Sequence, residues 1–193
     1  WIVMEGAQAY KAMGTEKSPG TKIFTISGDV NKPGYYEVEM GTTLRQLIEL
    51  AGGMKGGDGF YAAILGGAAG TFVNESVLDT PMGFDTLKEK NAILGSGAVM
   101  VMNTSRSLYE MMASILEFFA HESCGKCVPC RVGTKMLVDM WDEVKVPKNG
   151  NRSHMLDKMA GEADYMQKTS LCPLGGSPII PIESARQYFR HAF

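Results

Sequence analysis

Three of the four cysteines, Cys124, Cys127 and Cys130, fall within seven residues, and the fourth, Cys172, stands 42 positions later, directly before Pro173. No other feature limits the fold as much, because whatever holds these sulfurs must bring two separated segments to one place. A disulfide framework would spread its cysteines along the chain, and neighbours at i and i+3 meet the required Cα separation and torsions poorly. The run Cys124-Gly125-Lys126-Cys127-Val128-Pro129-Cys130 is C-x2-C-x2-C, and three thiolates from one loop with a remote fourth before proline is a common ligand supply for a four-iron cluster. The spacing predicts a loop wrapped around one side of a [4Fe–4S] cube. In that reading Gly125 allows the tight turn and Pro129 keeps the backbone extended, away from a helix.

Zinc is the alternative, since four thiolates also close a tetrahedral site. Structural zinc sites usually draw two pairs of ligands from two knuckles, whereas here the split is three plus one. His121, His154 and His191 show no zinc-like spacing among themselves. Lys126 and Arg131 flank the cysteines, and two readings stay open for them. They supply positive charge and donors that raise the potential of a reduced cluster, or they are solvated loop charges.

The 193 residues, 45% hydrophobic, suffice for one ordinary domain or two small ones, and read as globular and soluble. A net charge of -2 leaves no broad positive field, so nucleic acid is not an expected partner. No run approaches the roughly 18 to 20 apolar residues of a membrane span, and Trp1–Tyr10 lacks the basic and apolar regions of a secretion signal. No membrane insertion is expected. Trp1 is not an initiator residue, so residues 1–19 read as a remnant or linker.

Residues 20–104 are rich in glycine and β-type residues. Lys22–Ser27 and Gly34–Met40 read as strands joined at Asn31-Lys32-Pro33-Gly34, a hairpin signal. Leu44, Leu47, Ile48 and Ala51 trace a short helix with Thr42 or Thr43 as cap and Gly52-Gly53 as stop. Phe60–Leu65 and Ala98–Met102 read as buried strands, separated by a glycine-rich loop and a short segment around Phe84–Lys90. This order predicts a small β-grasp, ubiquitin-like domain.

Residues 105–193 carry helical stripes, on which most of the 14 methionines fall as core residues. The stripes are Leu108, Met111, Met112, Ile115, Leu116 and Phe119; then Val132, Met136, Met140 and Trp141, ended by Pro147-Lys148-Asn149-Gly150; then Leu156, Met159, Ala160, Ala163 and Met166 after a Ser153 cap. The last helix is expected to start at Pro181 and to bury Ile182, Ala185, Tyr188 and Phe189. The fold class is therefore α+β, a β-grasp domain followed by a four-helix bundle whose connecting loops hold both cysteine segments.

At Glu122-Ser123-Cys124-Gly125-Lys126-Cys127-Val128-Pro129-Cys130-Arg131 with Gly133, the chain resembles the C-terminal part of a family of NADH- and FMN-binding subunits. That family serves bacterial respiratory complex I and NAD(P)-linked multisubunit hydrogenases and formate dehydrogenases. The likeness continues through Ser170-Leu171-Cys172-Pro173 and Tyr188-Phe189-Arg190. It also covers Gly20-Thr21-Lys22-Ile23-Phe24, Ser27-Gly28, Gly66-Gly67 and Gly95-Ser96-Gly97.

The resemblance implies a soluble-ligand-binding β-grasp domain, then a cluster-binding bundle with Cys124, Cys127, Cys130 and Cys172 as ligands. It implies hydride transfer from NAD(P)H to FMN in the parent protein, and single electrons leaving through this cluster to other iron–sulfur subunits. A cytoplasmic location follows, or a peripheral one on the cytoplasmic face of a membrane complex. The FMN- and NADH-binding domain of the family has no counterpart here, because Gly66-Gly67-Ala68-Ala69-Gly70-Thr71 lacks the strand and long helix of a dinucleotide fold. Ala69, Thr71 and Val132 depart from the family pattern. The expected function is an electron-transfer segment of a flavin-dependent oxidoreductase subunit. The alternative is a zinc-stapled module whose sheet holds a small ligand or partner.

Overall fold

The computed structural model describes residues 1–145 and 152–192, with side chains omitted at 145, 152 and 153. The chain divides into two compact units, Trp1–Arg106 and Ser107–Phe193.

In the first unit two short helices, α1 (Ile2–Glu5) and α2 (Ala7–Lys11), precede the sheet. The Tyr10 hydroxyl accepts from Thr21 N and donates to Thr21 O, both at 3.1 Å, which ties this segment to the first strand. The strands are β1 (Thr21–Gly28), β2 (Gly34–Glu39), β3 (Phe60–Leu65), β4 (Thr71–Val73) and β5 (Ala98–Asn103), in spatial order β2-β1-β5-β3-β4. β1 and β5 are parallel, with Thr25 opposite Ala98 and Gly28 opposite Val101, and the other pairs are antiparallel.

Parallel strands need a long crossover. Here it spans β2, β3, β4 and two helices, α3 (Leu44–Leu50) and α4 (Phe84–Glu89). Phe24 and Ile26 alternate inward along β1, as a strand with one buried face requires. β3, between β5 and β4, is buried along Ala62–Leu65. Gly28 has φ +86, and a Cβ there would strike the Val101 carbonyl, so only glycine lets β1 lie this close to β5.

Thr43 caps α3. Its side chain accepts from Gln46 N, while Gln46 Oε1 accepts from Thr43 N at 2.9 Å, a reciprocal capping box. Leu44, Leu47 and Ile48 of α3 are buried. The strand β4 lacks a sequence signal, because its three residues follow a glycine-rich turn and are too few to show a period. Residues 66–70 form that turn between β3 and β4.

In the second unit the long helices are α5 (Leu108–Glu122), α6 (Val128–Lys145), α7 (Arg152–Thr169) and, after a single-turn α8 (Pro173–Gly176), α9 (Ile179–Phe189). α5 packs on α6, α6 on α7, and α7 on α9, while α8 lies against α7 and α6. The stripes expected for α5, α7 and α9 are buried, apart from Met111 and Tyr188, which are half-buried.

α6 differs from expectation. It begins four residues before Val132, and its buried side is Cys130, Thr134, Leu137, Trp141 and Val144, whereas Val132 and Met136 are 45% and 38% exposed. Packing on α5 and α7 turns the Cys130 face of α6 inward, and the 3,4 spacing of these residues satisfies it. α9 begins at Ile179 rather than at Pro181, and proline is tolerated as its third residue because the first turn's N–H groups have no intrahelical acceptor. Pro147-Lys148-Asn149-Gly150 lies outside the described residues, as does the Ser153 side chain.

Candidate metal centre

Cys127 O accepts a hydrogen bond from Arg131 N at 3.0 Å, so Cys127 stands at the N-terminal cap of α6 and Cys130 in its first turn. This corrects two expectations. The first cysteine segment is not wholly a loop, and Pro129 does not hold the backbone away from a helix. It is the second residue of α6, a position where a missing N–H costs nothing because no carbonyl awaits it. The positive end of the 18-residue helix favours thiolate at Cys127. Spacing of i and i+3 places Cys127 and Cys130 on one side of the helix start.

Between Cys124 and Cys127 the chain reverses at Gly125, whose φ of +75 is rarely adopted by residues with a side chain. Arg131 Nη1 donates to Gly125 O at 2.6 Å and clips the turn to the helix, so this cation is engaged with the loop backbone. Lys126 is exposed. Cys124 and Cys172 are exposed, Cys127 is half-buried, and Cys130 is 3% exposed.

The remote segment lies against this turn. Cys172 adopts an extended conformation as the N-cap of α8. One residue earlier, the Leu171 N–H bonds the Cys127 thiol and is the main cause holding that thiol below the ordinary thiol range. Desolvation opposes this shift, and the Cys130 and Cys127 amides and the Cys130 side chain reinforce it. Such donors stabilise the charged sulfur, the form that binds metal. Cys172 opens onto a depression of about 440 Å³ whose wall includes Gln167, Ser170, Leu171, Ser177 and Ile180.

Three residues that the cysteine pattern does not reveal complete the surroundings. Ser123 Oγ accepts from Gly125 N at 3.4 Å and lies 3.3 Å from Cys130 Sγ. Gly175 packs so closely that a Cβ there would lie 2.9 Å from Cys130 Cβ and collide with the Ser170 side chain. Ser170 Oγ is out of contact with solvent and has no hydrogen-bond partner among the described residues. Ser123 and Ser170 stand within the motifs that carry the family resemblance, and Gly175 stands three residues after Cys172. Among the described residues no three His, Cys, Asp or Glu side chains converge as ligands of one metal ion.

Residues 110–193, which contain all four cysteines, match the NADH-ubiquinone oxidoreductase-F iron-sulfur binding region. Residues 23–60 match the SLBB domain. Over 192 residues the chain is 36% identical to the F subunit of the NADH-quinone oxidoreductase of Streptomyces coelicolor, covering 100% of this chain and 42% of that one. The chain carries the iron–sulfur binding region and an SLBB domain, and its relatives are F subunits of NADH-quinone oxidoreductases.

The corresponding NADH-quinone oxidoreductase chain of Rickettsia typhi is 37% identical, with 98% of this chain and 45% of the relative covered. Among solved structures, an NAD+-reducing [NiFe]-hydrogenase in the H2-reduced state superimposes with a TM-score of 0.84 at 32% identity, covering 99% of this chain and 32% of that one. The chain thus spans less than half the length of these relatives. It is a mixed α+β chain, and its helical unit matches the iron-sulfur binding region. No described helix is long and apolar enough to cross a membrane.

Proposed function

We propose that Cys124, Cys127, Cys130 and Cys172 hold one [4Fe–4S] cluster, and that the chain is the electron-exit segment of an NAD(P)H-linked, FMN-dependent oxidoreductase subunit. The observation that carries this reading is the close approach of Gly175 to Cys130, where an added Cβ would lie 2.9 Å from Cys130 Cβ, which sets the segment that holds Cys172 against the first turn of α6. The surroundings fit such a group: soft thiol donors, a helix N-terminus, and a buried hydroxyl still without an acceptor. When bound, the cluster supplies reversible one-electron storage between a two-electron donor and single-electron acceptors.

The chain's own residues do the holding. The α6 dipole and the Leu171 N–H stabilise thiolate sulfur, Arg131 fixes the turn at Gly125, and Cys130 anchors the buried side against Gly175. Cys124 and Cys172 form the solvent-facing rim. FMN and NAD(P)H belong to the longer parent protein, as the names of the quinone- and hydrogenase-linked relatives suggest. Partners are other iron–sulfur subunits of a multisubunit oxidoreductase, with the assembly cytoplasmic or peripheral on the cytoplasmic face of a membrane.

In this reading residues 20–104 are a β-grasp domain, supported by the order β2-β1-β5-β3-β4 with a parallel central pair. Residues 105–193 are a four-helix bundle of α5, α6, α7 and α9. The test is iron, sulfide and zinc analysis of anaerobically prepared protein. Iron and sulfide in equal amounts, with an EPR signal on reduction, are expected. Stoichiometric zinc without iron would overturn the proposal in favour of a zinc-stapled module.

A further inference from the structure

We propose that the Ser170 hydroxyl is a tuning donor for the iron–sulfur group at Cys130, making its reduced form easier to reach. The inference rests on the cluster reading above and adds a residue with a defined role to it.

Hydroxyls around the centre are otherwise engaged. Thr134 Oγ1 donates to Cys130 O at 2.8 Å, Thr169 Oγ1 to Tyr165 O at 2.7 Å and Ser177 Oγ to Pro173 O at 2.7 Å. Ser123 Oγ already accepts from Gly125 N and lies beside Cys130 Sγ. Ser170 differs from all of these, because its Oγ is buried and has no partner among the described residues. A hydroxyl sealed from water without an acceptor burdens a fold, and such groups call for an explanation.

The position of this hydroxyl supplies one. The point where a Gly175 Cβ would sit is crowded at once by the Ser170 side chain and by Cys130 Cβ, so the hydroxyl and the carbon bearing the Cys130 sulfur border the same small space. The absence of a side chain at Gly175 is what lets the Ser170 side chain and Cys130 Cβ come together there. The acceptors that arrive with an iron–sulfur group are sulfurs, and their negative charge grows when an electron is added. A donor aimed at them stabilises the reduced state more than the oxidised one and raises the potential. Ser170 is therefore a positioning and tuning residue, two places before the remote cysteine.

The experiment compares this chain and its Ser170→Ala variant, both loaded anaerobically with iron and sulfide, in an EPR-monitored redox titration. Ser170→Ala is expected to keep its iron and to shift the reduction equilibrium about tenfold toward the oxidised form, about 59 mV for one electron. It should also lose one exchangeable-proton coupling in ENDOR spectra after transfer to deuterium oxide. The same variant without iron should melt no lower than the parent chain, since only an unpartnered hydroxyl has been removed.

An unchanged potential at full iron content would overturn the role of Ser170 and leave the cluster assignment standing. A parent chain that binds no iron would overturn both. Should Ser170→Ala fail to load, Ser170→Thr decides. Loading at a near-parental potential supports the hydroxyl, and failure of both variants reduces Ser170 to a packing residue.

Discussion

Tyr109 and Trp141 hold one another from both ends. Trp141 Nε1 donates to Tyr109 O at 3.0 Å, the Tyr109 hydroxyl donates to Trp141 O at 2.9 Å, and the rings stack 5.0 Å apart at 13°. This double lock joins α5 to α6 and fixes the rotation of α6 about its own axis. That rotation turns Cys130 inward, about three helical turns before Trp141.

Trp141→Ala is accordingly expected to cost about 3–5 kcal/mol, since it empties a fully buried site and takes the indole donor from Tyr109 O. Trp141→Phe, which keeps a ring but loses the indole donor, should cost about 1–3 kcal/mol. Urea unfolding midpoints check both, and a negligible loss would show that the lock is not what sets the α5–α6 packing.

Acid should loosen the first unit through Asp29. Arg106 donates to both carboxylate oxygens at 2.9 and 2.7 Å, and Asn103 N donates at 3.2 Å. The Arg106 hydrogen bonds hold the Asp29 carboxyl below its ordinary value of 3.8; burial opposes them, and the Asn103 amide and the charges of Arg106 and Lys55 assist. Because the folded value is the lower one, this stability is complete above the unfolded value and fades as pH falls through the folded one. Asp29→Asn should cost about 2 kcal/mol at neutral pH. The difference from the parent chain should shrink toward zero in acid, and a pH-independent difference would assign the loss to shape instead.

Cys172→Ala should deprive the centre of most of its iron, because it removes the thiolate that the α7–α8 segment would supply to the group held at α6. Iron and sulfide analysis after anaerobic loading reads the result. Retention of the full iron content would exclude Cys172 from coordination.

Gly175→Ala should be destabilising by about 1–3 kcal/mol, since the new methyl must displace the Ser170 side chain and Cys130 Cβ, both at sub-contact range. The loaded variant should lose iron faster to a chelator than the parent chain does. Unaltered stability together with unaltered iron release would mean that α8 moves aside freely.

Where local patterning suffices, the structure follows the sequence closely. The stripe Leu156, Met159, Ala160, Ala163 and Met166 is buried on α7, and Thr43 caps α3 as its position before the periodic run implies. Gly125 turns the cysteine loop at a positive φ. Pro129 misleads because proline is forbidden within a helix yet welcome in its first turn, and sequence alone does not say on which side of the helix start it falls. The face of α6 is set by its packing on α5 and α7, which turns Cys130 and Leu137 inward and leaves Met136 partly exposed.

The sequence by itself determined which sulfurs are available, where the longer strands and helices run, and which family the cysteine motif resembles, because spacing and periodicity are properties of neighbours along the chain. Only the tertiary structure decided that β1 runs parallel to β5, that Cys130 is sealed within α6, and that the Leu171 amide meets the Cys127 thiol. Those outcomes join residues dozens of positions apart. They are set by the packing of side chains such as Tyr109 and Trp141 and by the space left at Gly28 and Gly175, which no local pattern encodes.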